Sequence, residues 1–347
     1  MQPQLRRPRK LRPGDRVAIM SPSSGVAGLF PVVHNRGVAA LATAFDLELV
    51  EFPTTRQPGA SAAARAHDLN AAFADSSIRA IMATLGGSDQ ITVLPHLNAS
   101  LLRDDPPAFF GYSDNTNLLL WLWRHGVSSY HGGSTLVHLA RPGGPHDAHL
   151  ESLRHALFDD GPYEILPQVR FTDLQCRWED PTTLDQPLTT FLDSGWSWQG
   201  DHAVTGITWG GNLEILHWNL ATNRWIGENR DFTGAVLLLE TSEEMPAAHE
   251  VARMLRNMGE RGLLERFAAI VMAKAKAWSP ERPLSVEQRE GFRRDQRDVL
   301  FAACDTYAPH AVVVYGPDFG HTDPQIVIPY GGSMTVDPIA QKIWSNY

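Results

Sequence analysis

Apolar and polar positions in the first 140 residues follow two alternating patterns. Short apolar runs bounded by turn residues predict buried strands, and longer runs that mix alanine or leucine with polar residues predict helices, including 38–45 and 61–73. Because strands that alternate with helices usually form parallel sheets, this part of the chain predicts a parallel α/β sheet. The predicted strands are 16–20, 47–52, 78–84 and 108–110.

The alternation returns after residue 201, whereas 161–200 is rich in proline and has few periodic runs. We therefore predict an N-terminal α/β domain over 1–160, a connector over 161–200 and a second domain over 201–347. In the second domain we predict strands at 203–208, 235–239, 268–273 and 311–315, a tight turn at 209–212, and helices from Leu213, at 249–258 and at 287–303.

Three loops of small or polar residues follow predicted strands, at 21–25, 86–88 and 111–115. In a parallel sheet the ligand crevice lies outside the carboxyl ends of the strands, so we expect these loops to meet at one edge. Gly86 and Gly87 would let backbone N–H groups approach a ligand closely, although a flexible turn is the alternative. Neither a P-loop nor a G-x-G-x-x-G fingerprint occurs, so no nucleotide cofactor site of these kinds is predicted.

Ser113 stands between the predicted strand at 108–110 and an apolar helical run at 118–123. A serine on a sharp strand-to-helix turn is the arrangement by which many hydrolases expose a nucleophile. The motif departs from G-x-S-x-G, because Asn115 occupies the place of the second glycine. The alternative interpretation is an ordinary helix cap made by Ser113 and Asp114.

A serine nucleophile needs a base, and the base needs an acid that orients it. Glu240 directly follows a buried strand, and His321 lies in a constrained loop after the last predicted strand. We therefore predict a triad of Ser113, His321 and Glu240, in the known chain order serine, acid, histidine. Other acids in these two loops are Glu243, Glu244, Asp318 and Asp323.

Composition limits the possible partners and compartments. The net charge of −9 argues against broad binding to a nucleic acid polymer or an anionic membrane. Two cysteines cannot form a disulfide framework, no apolar run is long enough for a membrane span, and the basic N-terminus lacks an apolar signal core. We therefore expect a cytoplasmic globular protein.

Five histidines cluster after the predicted N-terminal sheet, which raises the question of a zinc site. No H-E-x-x-H pattern accompanies them, so we predict surface or helix-face histidines and no metal. They are His131, His138, His146, His149 and His155.

Short motifs along nearly the whole chain resemble the LD-carboxypeptidase family of serine peptidases, and within it the microcin C self-immunity branch. The matching segments are Pro13-Gly14-Asp15, Ser21-Pro22-Ser23-Ser24, Gly86-Gly87, Gly111-Tyr112-Ser113-Asp114, Trp209-Gly210-Gly211-Asn212-Leu213, Leu238-Leu239-Glu240-Thr241-Ser242-Glu243 and Gly320-His321-Thr322-Asp323-Pro324-Gln325.

This resemblance implies Ser113 as nucleophile, His321 as general base and Glu240 as orienting acid. It also implies an oxyanion hole made by the N–H groups of Gly87 and Asp114. Gly86 and Asn212 are expected to contact substrate. The implied fold is an N-terminal α/β domain followed by a smaller C-terminal α/β domain with mixed, partly barrel-like strands. Neither metal nor organic cofactor is implied, and family members are typically homodimers.

The connector carries three tryptophans that either seal a seam between domains or stack on a planar ligand. The resemblance favours stacking on a nucleotide by Trp196 and Trp198 rather than by Trp178. The expected reaction is cleavage of an amide bond in an aminoacyl-nucleotide of the microcin C type. The alternatives are an LD-carboxypeptidase acting on murein tetrapeptide and a non-catalytic protein that binds a small ligand.

Overall fold

The computed structural model describes residues 5–347, so positions 1–4 of the predicted N-terminal domain lie outside the described residues. Within that range the chain forms two large sheets and a two-stranded ribbon. The strands are β1 (Arg16–Met20), β2 (Glu48–Glu51), β3 (Ile78–Ala83), β4 (Ala108–Gly111), β5 (Ser129–His131), β6 (Pro162–Ile165), β7 (Arg170–Phe171), β8 (Phe191–Leu192), β9 (Ser197–Gln199), β10 (Val204–Asn212), β11 (Val236–Glu240), β12 (Ala269–Met272), β13 (Val312–Tyr315), β14 (Ile328–Tyr330), β15 (Ser333–Asp337) and β16 (Lys342–Asn346). The α-helices are α1 (Pro31–Phe45), α2 (Ala62–Ala74), α3 (Thr116–Arg124), α4 (Asp147–Phe158), α5 (Leu213–Thr222), α6 (Ala248–Glu260) and α7 (Val286–Tyr307).

The first sheet has the strand order β14-β5-β4-β3-β1-β2, and β1 to β5 run parallel. Successive side chains of a strand point to opposite faces. Val17 and Ile19 of β1 therefore pack with α1 and α4, while Ala18 and Met20 pack with α2 and α3. Burial on both faces explains why these strands are almost continuously apolar in the sequence. The predicted parallel α/β sheet is confirmed.

The second sheet has the order β6-β16-β15-β10-β11-β12-β13-β9. Its centre, β10 to β13, is parallel, and the flanking strands are antiparallel. The predicted mixed character is confirmed, and the strands between residues 5 and 347 close no barrel. Strands β14 to β16 were not predicted from the sequence.

The predicted tight turn at 209–212 is wrong, because these residues complete the long strand β10. Gly210 and Gly211 have φ of +135° and +117°, a region that favours glycine. A side chain on Gly210 would collide with the backbone carbonyl of Leu238 on β11. Gly210 therefore allows the close approach of β10 to β11, and Gly211 allows that of β10 to Thr116 at the start of α3. The pairing of β10 with β11 places Asn212 opposite Glu240.

The segment predicted as a connector contributes to the second sheet at both of its edges. Strand β6 pairs with β16, and β9 pairs with β13. The last part of the chain then returns to the first sheet, where β14 pairs antiparallel with β5. As a result, the loop between β13 and β14, which carries His321, runs from one sheet to the other.

Candidate active site

Ser113 lies where β4 ends and the chain turns into α3. Its φ of +60° is in the left-handed region, which a residue with a side chain enters only at a cost in free energy. A Cβ atom on Gly86 would lie 2.9 Å from Cβ and 3.0 Å from Oγ of Ser113, so glycine is needed beside the serine. The sharp turn predicted at Ser113 is confirmed.

The residues after Ser113 tie the three predicted loops together. The buried carboxylate of Asp114 accepts hydrogen bonds from the Ser23 hydroxyl and from the N–H of Gln90, the latter at 2.9 Å. Asn115 donates from Nδ2 to the Leu85 carbonyl at 3.1 Å and accepts from the Gln90 amide at 2.7 Å. Asn115 therefore braces the loop beside Ser113, which a glycine at this position could not do. The expected convergence of the loops is confirmed.

His321 is held between two carboxylates. Its Nδ1 lies 2.6 Å from Oε2 of Glu240, and its Nε2 lies 3.0 Å from Oε2 of Glu243. Glu240 is fully buried, whereas the Glu243 side chain is 56% exposed. Glu240, at Nδ1, is therefore positioned to orient the imidazole. Glu243 instead contacts Nε2, the nitrogen that would accept the proton of a serine.

The two carboxylates set the protonation of His321. Burial alone would lower its pKa, but the charges and hydrogen bonds of Glu240 and Glu243 outweigh burial and raise the pKa to about 10. In this state the imidazole is protonated at neutral pH and cannot act as a base. Removal of Glu243 from Nε2 would both free the nitrogen and lower the pKa.

The Glu243→Gln variant should move the acid limb of the kcat/KM profile to lower pH and raise kcat/KM at pH 7 several-fold, because one charge that stabilises the imidazolium is lost. Glu244→Gln is the matched control, since Glu244 is exposed and its carboxylate has no ion pair with His321 among the described residues. The measurement is kcat/KM from pH 5 to pH 10. Superimposable profiles for the two variants would contradict this role of Glu243.

The two acids on either side of His321 in its loop are paired with cations. Asp318 lies 2.7 Å from Nζ of Lys274, and Asp323 pairs with Arg141. A further buried carboxylate, Glu214 at the start of α5, accepts from the N–H of Ser242 at 2.9 Å and so fixes the turn that follows Glu240. Burial, with the charge of Glu240, raises the pKa of Glu214 to about 7.

The prediction of surface or helix-face histidines is wrong for His131, which is buried in β5. His138 and His149 lie in helical segments, but both are buried beside the His321 loop rather than exposed. His131 Nε2 lies 3.2 Å from the Phe319 carbonyl, and His149 Nδ1 lies 2.7 Å from the Gln325 carbonyl. Burial lowers the pKa of His131 to about 4 and that of His149 to about 3, so both donate as neutral imidazoles.

These hydrogen bonds hold the loop on both sides of His321 against β5 and α4, which belong to the first sheet and its helices. His138 acts on Tyr112 instead: its Nε2 lies 3.2 Å from the Tyr112 hydroxyl, and the Tyr112 ring lies edge-on to His321 with centroids 4.9 Å apart. Across residues 5–347 no group of three or more histidine, cysteine or acidic side chains could hold a metal ion. The hydrogen bonds of the buried histidines therefore position the His321 loop.

A cavity of about 680 Å³ opens over the serine. Ser113, His321 and the backbone of Gly86 and Gly87 form part of its wall. Asp114 and Glu240 lie buried behind that wall. Sequence reasoning did not single out several other wall residues, among them Arg141, Lys276 and Trp278, although the polar positions in the apolar run 269–278 were a visible signal for Lys276.

The tryptophans are distributed differently from the prediction. Trp178 lines the cavity and meets Phe30 edge-on, with ring centroids 5.3 Å apart. Trp196 and Trp198 instead pack on the core of the second sheet, next to β13, and are not part of the cavity wall in the described chain. The preference for Trp196 and Trp198 over Trp178 as the ligand platform is therefore not supported by their positions.

Asn212 also lies away from the cavity wall. Its side chain caps α5 by accepting from the N–H of Ile215 at 3.0 Å, and its own N–H donates to Thr116 at the start of α3. Asn212 therefore joins α3, which follows the serine, to β10, which supports Glu240.

None of the helices in the described chain is long and apolar enough to span a membrane.

Comparison with known proteins identifies relatives that match most of the chain. A protein of Vibrio cholerae classed by name as a carboxypeptidase is 28% identical over 335 residues, 93% of this chain and 92% of its own. The Microcin C7 self-immunity protein MccF of Escherichia coli is 24% identical over 276 residues, 79% of this chain and 75% of its own.

The fold is also found among solved structures. The structure of MccF in complex with glutamyl sulfamoyl guanosine matches with a TM-score of 0.84 at 22% identity, over 99% of each chain. Two family models match as well: the LD-carboxypeptidase N-terminal domain over residues 17–132 and the LD-carboxypeptidase C-terminal domain over residues 205–336. Since these matches cover well over half of the sequence, the chain belongs to the LD-carboxypeptidase family of serine hydrolases.

Proposed function

We propose that this protein hydrolyses an amide bond between an acyl group and the nucleotide part of an aminoacyl-nucleotide. The observation that carries the proposal is the meeting of Ser113 and the His321–Glu240 pair at one cavity with an aromatic wall. The structural relative MccF was solved with glutamyl sulfamoyl guanosine, a ligand of this class. The family membership supports the hydrolytic chemistry, and the cavity supports a ligand with a planar group.

In the proposed reaction Oγ of Ser113 attacks the carbonyl carbon of the amide. Nε2 of His321 takes the hydroxyl proton and gives it to the leaving nitrogen, which leaves an acyl-enzyme. A water molecule then attacks the acyl carbon while Nε2 of His321 accepts its proton. The bond between the acyl carbon and Oγ breaks, His321 returns the proton to Oγ, and the carboxylic acid is released. Glu240 stabilises the imidazolium that forms in each step, because its buried carboxylate lies 2.6 Å from Nδ1.

The tetrahedral intermediates carry negative charge on the former carbonyl oxygen, which needs hydrogen-bond donors. We assign this role to the N–H groups of Gly87 and Asp114. Support comes from Gly86, whose lack of a side chain brings the backbone of its loop against Ser113 and close to the Asp114 nitrogen. A donor pair from two loops fixed by the buried Asp114 network would be rigid before substrate arrives.

Proton transfer to His321 requires that Glu243 leaves Nε2. Its side chain is largely exposed, so the carboxylate can rotate into solvent without losing buried contacts. The protonated, substrate-free pair then represents a resting state, and substrate entry between Ser113 and Glu243 would convert it into the reactive one.

The test is direct hydrolysis by the purified protein. Glutamyl sulfamoyl adenosine and murein tetrapeptide are incubated separately with the enzyme, and products are identified by mass spectrometry. Release of glutamate at a rate well above that of the tetrapeptide reaction supports the proposal. Cleavage of the tetrapeptide alone would favour the second candidate, a murein LD-carboxypeptidase, which the descriptions of both matching family models favour. Homodimer formation and the cytoplasmic location stay predictions.

The Trp178→Ala variant should raise the Michaelis constant for glutamyl sulfamoyl adenosine by roughly five- to a hundredfold. A nucleobase stacked on an aromatic side chain contributes about 1–3 kcal/mol, and Trp178 is on the cavity wall. A small glutamyl amide without a base should be much less affected. Both Michaelis constants are measured under the same conditions.

Trp196→Ala serves as the matched control for the other tryptophan position. Because Trp196 packs on the core of the second sheet, this variant should lower the melting temperature and affect both substrates alike. A nucleotide-selective loss in Trp196→Ala, with none in Trp178→Ala, would contradict the assignment of Trp178 to the base.

A further inference from the structure

Lys276 is a buried cation in the wall of the active-site cavity. It follows β12 in an apolar run, is 7% exposed and lines the cavity together with Ser113 and His321. Lysine is rarely buried unless its charge is paired, because moving an ammonium group out of water costs free energy. Its burial is therefore explained only if nearby groups compensate the charge of its ammonium group.

The protein itself supplies little compensation for this charge. Nζ of Lys276 donates to Oε1 of Gln175 at 3.2 Å, and no carboxylate of residues 5–347 lies within 4 Å of it. Lys274, two residues earlier, is very different, since it pairs with both Asp193 and Asp318. Gln175 is neutral and exposed, so it can be displaced by a ligand.

The carboxylates whose charge acts on Lys276 at longer range are already engaged. They are Glu243, Asp173 and Asp323. Asp173 pairs with Arg293 at 2.8 Å, Asp323 pairs with Arg141, and Glu243 contacts His321 at 3.0 Å. Burial is the largest influence on the pKa of Lys276 and lowers it. Lys276 is thus a cation in the cavity wall that lacks a close counter-ion.

We propose that Lys276 is the specificity-determining residue of an anion-binding subsite, and that the substrate brings an oxyanion to it. This inference rests on the proposed hydrolytic function of the same cavity and adds the charge of the substrate. The oxyanion is a phosphoryl group of a nucleotide or the terminal carboxylate of a peptide. Either one replaces Gln175 and forms a charge-assisted hydrogen bond in a partly desolvated site.

The experiment measures binding by calorimetry in the Ser113→Ala background, so that no ligand is consumed. The first pair of ligands is adenosine monophosphate and adenosine, and the second is murein tetrapeptide and its C-terminal amide. We expect the anionic member of one pair to bind roughly ten- to a hundredfold more tightly than its neutral partner. The pair that shows the difference identifies the source of the oxyanion.

Adding Lys276→Met should remove this difference, and Lys276→Arg should restore part of it. The melting temperature of Lys276→Met should be equal to or above that of its parent, because an apolar side chain replaces an uncompensated charge. A purely structural lysine would instead lower the melting temperature and leave the difference between ligands in place.

The inference is overturned if neither anionic ligand binds more tightly than its neutral partner, or if Lys276→Met preserves the preference. These outcomes do not depend on turnover. A protein that hydrolyses none of the substrates but shows the Lys276-dependent preference would refute the proposed reaction and retain the anion subsite. The reverse outcome would refute the subsite alone.

Discussion

The Ser113→Ala variant should lose turnover by a factor of roughly ten thousand or more, because the hydroxyl that forms the acyl-enzyme is absent. Alanine fits the same turn beside Gly86, so the melting temperature should change by no more than about 2 °C. Hydrolysis of glutamyl sulfamoyl adenosine is followed under single-turnover and steady-state conditions. Ser24→Ala is the matched control, since Ser24 also lines the cavity and has no assigned part in the reaction.

Residues of a triad act as a unit, so their losses should not multiply. Combining Ser113→Ala with His321→Ala should therefore reduce turnover scarcely more than either change alone. Full activity in Ser113→Ala would refute a serine mechanism. A ligand that binds without any turnover in the parent protein would instead favour the non-catalytic alternative.

The Glu240→Gln variant should reduce kcat by roughly a thousand- to ten-thousandfold, the loss expected when the acid behind a catalytic histidine becomes an amide. Glu240 is fully buried at the end of β11 and contacts Nδ1 of His321 at 2.6 Å. The amide removes the charge that stabilises the imidazolium and presents an N–H group where the histidine needs an acceptor. The measurement is kcat over the range pH 5 to pH 10.

Two outcomes distinguish Glu240 from Glu243. Glu243→Gln should shift the pH profile without a large fall in the maximal rate, whereas Glu240→Gln should show both changes. A loss below tenfold in Glu240→Gln would mean that another acid supports His321. The positions of Asp318 and Asp323 make them poor substitutes, because each is paired with a cation.

Much of the fold was predictable because its central strands are buried on both faces. The run before Glu240, with Val236 and Leu238 on one face and Leu237 and Leu239 on the other, is continuously apolar for this reason. A polar residue that ends such a strand stands out in the sequence. The same pattern predicted Ser113 as a polar residue that follows β4. In the structure Glu240 contacts His321, as the predicted triad requires.

Contacts between distant parts of the chain were not predictable in the same way. The strands β14 to β16 and the connector strands β6 and β9 each pair with a strand that lies far away along the chain. Local pattern does not encode such pairing. Likewise, nothing near Trp178 or Trp196 reveals which of them faces the cavity, since that depends on where each loop crosses a sheet edge.

The burial of His131 and His149 was not predictable from the local sequence either. A histidine in a polar segment is usually exposed, but His131 and His149 each find a backbone carbonyl of the 319–325 loop as acceptor. One such bond satisfies a buried neutral imidazole at a single nitrogen and allows its burial. The acceptors are 188 and 176 positions away in sequence, so the burial follows from tertiary structure alone.

The return of β14 to the first sheet makes the two halves of this enzyme unsuited to exchange as modules. A chimaera joined between the family segments at 17–132 and 205–336 would take the neighbour of β5 from one parent and β5 from the other. It would also divide one apolar core that runs from Phe109 through α3 to Leu237. A chimaera of two relatives should therefore keep its activity only if residues 328–330 come from the same parent as the N-terminal half. Which residues must be exchanged together is decided by the sheet they belong to and not by their order in the chain.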